Sequence, residues 1–63
     1  METKLLALGY RYNYNKSYLF KTITGELLGI IYQATAFYQN GKFEFDGSLK
    51  LIEKLKNELK GVA

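Results

Sequence analysis

Residues 27–45 read LLGIIYQATAFYQNGKFEF, and the fold class turns on whether the first thirteen are helix or strand. As a helix, residues 27–39 would present apolar side chains nearly all round, and such a helix needs burial on every side. A chain of 63 residues cannot supply that burial. Ile30, Ile31, Tyr32, Thr35, Phe37 and Tyr38 are good sheet formers, so the segment reads as a strand. Asn40-Gly41 lies between two aromatic pairs and forms a hairpin turn, because both residues tolerate positive φ. Residues 42–45 are the return strand.

Towards the N-terminus, residues 5–12 and 18–23 read as two more strands by composition, joined by the Asn- and Ser-rich turn at 13–17. A second turn is placed at Thr24-Gly25-Glu26. Towards the C-terminus the period changes. Leu51, Ile52, Leu55, Leu59 and Val62 recur at three and four residues, the stripe of an amphipathic helix. Ser48 or Asp46 is its N-cap, and Gly61 sits where a C′ glycine belongs. The expected architecture is therefore α+β. A four-stranded antiparallel meander is followed by one C-terminal helix packed on one face (ββββα), in a single small domain over residues 1–63. With turns at 13–17 and 24–26, alternation puts Tyr12, Tyr18, Phe20, Ile30, Tyr32, Tyr38, Phe43 and Phe45 on one face. Leu19, Ile23, Leu27, Ile31 and Phe37 fall on the other.

That geometry leaves apolar surface over. A helix of about 13 residues spans ~20 Å, whereas a strand over 27–39 runs ~43 Å. A chain this short buries only about 60% of the surface its unfolded form exposes and commonly needs a disulfide, a metal or another chain as a staple. There is no Cys and no His, so an oligomer is the expected route, and a homodimer the simplest one. The competing reading is a monomer with a well-packed core. Leu19, Ile23, Leu27, Ile31 and Phe37 are the candidate partner or dimer face.

The composition also bounds the chemistry. Hydrophobic residues make up 48% of the chain, too many for disorder. Without Cys or His there is no disulfide framework, no Cys/His zinc site and no Ser-His or Cys-His nucleophile. Glu44 and Asp46 are the nearest approach to paired carboxylates, and nothing completes a site around them. No enzyme, cofactor or metal is expected. No segment reads as a signal peptide, and the longest apolar region falls short of the ~20 residues of a membrane span. The cytoplasm is the expected compartment, with no membrane association.

The richest local pattern is Tyr10-Arg11-Tyr12-Asn13-Tyr14-Asn15-Lys16-Ser17-Tyr18. Tyrosines offer flat surfaces on which bases stack, at about 1–3 kcal/mol per base. Arg11, Lys16 and Lys21 supply phosphate contacts, and Asn13 and Asn15 hydrogen bonds. Residues 1–25 hold four cations against one acid, the helix and tail four against two, and residues 26–46 one against three. Arg11, Tyr12, Asn13, Tyr14, Lys16, Tyr18 and Lys21 are accordingly the candidate nucleic-acid-binding residues. The plainer alternative is that the tyrosines only stabilise the hairpin, since cross-strand aromatic pairs contribute about 0.2–1 kcal/mol each. The helix lysines Lys50, Lys54, Lys56 and Lys60, broken by Glu53 and Glu58, read as a solvated face.

Two functional expectations follow. One is a homodimer whose sheet binds single-stranded nucleic acid. The other is a small regulator or inhibitor, of the size phages and plasmids often encode, that binds a larger protein through its apolar face or an edge strand. The element order resembles that of dimeric single-stranded-DNA-binding transcription coactivators, and no residue is carried over from that likeness.

Overall fold

The computed structural model describes residues 2–61. Four antiparallel strands form one sheet in the order β1-β2-β3-β4: β1 (Arg11–Asn13), β2 (Tyr18–Leu27), β3 (Ile30–Gln39) and β4 (Lys42–Gly47). A C-terminal helix, α2 (Leu49–Leu59), packs on the sheet, and a short helix, α1 (Glu2–Ala7), precedes it. The meander with its C-terminal helix is the expected ββββα arrangement. The leading helix is not.

Residues 5–12 are thus not one strand. Residues 2–7 are helix, and only 11–12 join the sheet. Gly9 at φ +99° divides them. The Gly9 N–H donates to the Leu6 carbonyl at 3.1 Å and the Tyr10 N–H to the Leu5 carbonyl at 3.0 Å, the paired bonds of a glycine-terminated helix end. Leu5 and Tyr10, the residues flanking that closure, are both buried in the core.

The second turn also moves. It is Leu28-Gly29, at φ +54° and +81°, and β2 runs on through Thr24-Gly25-Glu26 to pair Leu27 with Ile30. Shifting a turn by an odd number of residues exchanges the faces of a strand, and β2 is exchanged in this way. Leu19, Ile23 and Leu27 lie on the helix side, aligned with Tyr38, Ala34 and Ile30 of β3. Tyr18 and Phe20 face away, with Phe37. The turn at Asn40-Gly41 is where it was expected, at φ +53° and +77°. So is the turn at 13–17, where Asn13 Oδ1 accepts the N–H groups of Asn15 and Lys16.

The core lies between the helices and one sheet face. Leu5, Tyr10, Leu19, Ala34, Ala36, Ile52 and Leu55 are buried, with Leu8, Ile23, Tyr38, Phe43, Phe45, Leu51 and Leu59 packed around them. The α2 stripe is as the sequence spacing predicts; Val62 falls outside the described residues. Ser48 is the N-cap, but its side chain makes no capping bond. Its N–H instead donates to the Gln33 carbonyl at 2.9 Å. No helix among the described residues is long and apolar enough to cross a membrane.

Candidate functional site

Among the described residues no element covers the face of the sheet turned away from the helices. Alternation along the strands puts Tyr18, Phe20, Thr22 and Thr24 of β2 there, with Gln33, Thr35 and Phe37 of β3. Arg11 and Asn13 of β1 align with Phe20 and Tyr18. From β4 come Lys42, Glu44 and Asp46, aligned with Gln39, Phe37 and Thr35. Thr22 and Thr35 share a hydroxyl hydrogen bond of 2.9 Å across the strand pair.

Three rings form the centre of this surface. Tyr18 meets Phe37 edge-on at 5.1 Å between centroids, and Phe20 edge-on at 6.1 Å. All three are half-buried. Tyr18 packs against both phenylalanines, and part of each ring stays open to solvent. That arrangement is favourable for aromatic pairs.

Cations flank the rings on β1 and at the end of the sheet that holds Lys16 and Lys42. Arg11 heads the row Arg11-Phe20-Phe37-Glu44 that crosses all four strands. Lys16 and Lys42 line an open concavity of about 540 Å³ together with Tyr18, Phe37, Gln39, Asn40 and Glu44. The backbone position of Lys16 is held from two sides. Its N–H donates to Asn13 Oδ1 at 3.1 Å, and its carbonyl accepts from Gln39 Nε2 at 3.3 Å. At about 4.8 Å between strands, β1 and β4 lie ~14 Å apart across the surface. The acids of this face are Glu44, aligned with Phe37, Asp46, aligned with Thr35, and Glu26, aligned with Ile31 at the far end.

Of the seven candidate nucleic-acid residues, Arg11, Asn13, Lys16 and Tyr18 come together here. Tyr12 does not: it is aligned with buried Leu19, on the helix side. Tyr14 is exposed on the turn, with its ring 4.7 Å from that of Tyr12. Lys21 is also on the helix side. Its ammonium donates to the Leu8 carbonyl and to Glu58, each at 2.8 Å, and lies 5.9 Å from the Tyr10 ring centre. The five candidate partner-face residues do not form one surface either. Leu19, Ile23 and Leu27 are on the helix side and Ile31 and Phe37 on the open side. Phe20, Gln39 and Lys42 are residues of the open surface that the sequence reading assigns to no site, and Phe37 is one it assigns to the partner face. The Leu28-Gly29 turn brings Phe20 and Phe37 to one side, because it fixes which parity of β2 shares a face with Phe37.

No family model, curated protein or solved structure matches the chain. Among the described residues no group of three or more acidic, His or Cys side chains is placed to hold a metal.

Proposed function

We propose that the open sheet face binds single-stranded nucleic acid. Unpaired bases stack on Tyr18, Phe20 and Phe37, and Arg11, Lys16 and Lys42 contact the phosphates on either side. One observation carries the reading: three aromatic rings, Tyr18 in edge contact with both Phe20 and Phe37, stand on the uncovered face with Arg11 aligned beside Phe20 and Lys16 and Lys42 lining the concavity beside Tyr18 and Phe37. A face meant only for solvent alternates to polar side chains, and this one carries two phenylalanines and a tyrosine on adjacent strands. Stacking needs an accessible base face, which single strands present and duplexes do not. Asn13 and Gln39 stand beside the rings as donors and acceptors for base edges.

With six Tyr and no Trp, tyrosine emission is an unobstructed probe. Adding a short unstructured oligonucleotide at low salt quenches that emission and retards the protein in a native gel. About three phosphate contacts give a slope of log K against log salt near −2 for a single strand. Neither quenching nor retardation at low salt means that the open face does not serve this purpose.

A further inference from the structure

The β2–β3 hairpin outreaches its neighbours. β2 pairs with β3 as far as Leu27 with Ile30, but β1 goes no further along β2 than Phe20. On the other side β4 stops at Ala34, and the last bond to β3 is the one from Ser48 to Gln33. Residues 21–27, ~23 Å of strand, have the outer edge of β2 unpaired among the described residues, and the last four of them project past β4 as well. The radius of gyration, 12.0 Å, is correspondingly larger than the ~11 Å of a compact chain this long.

This projecting end is apolar. Leu28 is 93% exposed, Ile31 70%, Ile30 58% and Leu27 50%, with Tyr32 partly exposed beside them. Together they present on the order of 500 Å², as much as the largest patch on a typical monomer. Between residues 22 and 41 the sole charged side chain is Glu26. Edge strands that must stay single are usually blunted by lysine, proline or a bulge; Lys21 at the start of this edge has its ammonium tied to Leu8 and Glu58 on the helix side, and residues 22–27 have no lysine or proline.

Leu28 adds an independent argument. It adopts φ +54°, a conformation that costs a residue with a Cβ roughly 1–2 kcal/mol. The other two-residue turn of the sheet puts Asn40 at the same place, at φ +53°, where the cost is small. An almost fully exposed leucine returns nothing to the isolated chain for that strain.

We propose that the outer edge of β2 pairs antiparallel with the same edge of a second copy, and that the hairpin tips pack against the body of the partner. Two patches of this size bury about 1,000 Å², the threshold for a specific interface. Identical antiparallel edges are self-complementary about a two-fold axis. With Thr24 on that axis, Glu26 meets Thr22 of the partner subunit, so the one charge of the segment never faces its own copy. The product is a continuous eight-stranded sheet with both open faces on the same side. The pairing does not depend on what those faces bind.

Sedimentation velocity of the full chain without nucleic acid tests the pairing. The wild type sediments as a dimer in the micromolar range. Leu28→Asn, which suits the turn better than leucine, weakens dimerisation about tenfold or more with unchanged far-ultraviolet circular dichroism. Thr24→Lys, at an exposed position, sets like charges across the axis and does the same, more strongly at low salt. A wild-type chain that stays monomeric overturns the proposal, whether or not its hairpin then captures a vesicle or another protein. So does a dimer that both substitutions leave intact.

Discussion

Lys21 and Glu58 form an ion pair of 2.8 Å that ties the middle of β2 to the last turn of α2. The same ammonium donates to the carbonyl of Leu8, just past the end of α1. One lysine therefore joins both helices to the sheet. Replacing it by methionine keeps the aliphatic stem and removes both bonds. Lys21→Met is expected to lower stability by about 1–3 kcal/mol in urea unfolding. Glu58→Gln is expected to lower it less, because the bond to Leu8 survives. Because Lys21 is withdrawn to the helix side, Lys21→Met leaves oligonucleotide affinity unchanged when the variant is folded. An equal loss for both substitutions, or a loss of affinity, contradicts this role.

Tyr10 lies beside that knot with its hydroxyl buried and without a hydrogen-bond partner. Removing an unsatisfied buried hydroxyl relieves a desolvation cost, so Tyr10→Phe is expected to be neutral or to stabilise by up to ~1 kcal/mol. Burial, and then the Glu58 carboxylate, push the phenol above its ordinary value, which is about 10. The unfolded chain then releases this proton before the folded one does. The contribution to stability is complete below about pH 10 and is lost as pH rises through the raised folded value. Stability curves of wild type and Tyr10→Phe, measured by denaturant midpoint from pH 8 upward, should diverge above pH 10, with the wild type falling faster.

Gly47 is the point at which β4 meets β3 closely enough for α2 to fold back. It has φ +110°, and a Cβ there would meet the Gln33 carbonyl and lie 2.8 Å from the Ala34 Cα. These are backbone atoms, which cannot swing aside. Gly47→Ala is expected to cost more than about 2 kcal/mol. Gly41→Ala carries only the turn penalty of about 1 kcal/mol, because a Cβ there meets nothing within 4 Å. Thermal unfolding of the two variants side by side checks the order.

Much of this fold was legible in the residues themselves. The Asn40-Gly41 turn and the leucine stripe of α2 each rest on a local rule that no tertiary contact opposes. Two local signals were outweighed. Gly9 follows Lys4-Leu5-Leu6-Ala7-Leu8, good helix formers that end on a glycine, yet their alternation with Tyr10 and Tyr12 also suits a strand. Burial of Leu5 against Tyr10 decides for helix. Leu28-Gly29 was obscured because leucine is a poor occupant of a positive-φ position and Thr24-Gly25-Glu26 has better turn chemistry. That single displacement exchanged the faces of β2. Tyrosines and cations were identifiable as a group, but the partition that leaves Arg11, Asn13, Lys16 and Tyr18 on the open face and Tyr12 and Lys21 on the other needed the register.

The open face as a stacking platform is tested most directly by an oligonucleotide titration at several salt concentrations. It compares wild type, Arg11→Gln and the pair Tyr18→Leu and Phe37→Leu. Wild type binds with a slope near −2 and Arg11→Gln loses about 0.7 of it. Each ring substitution weakens binding by about 1–3 kcal/mol without changing the slope. Affinity that is absent, or that is indifferent to all three substitutions, contradicts the account.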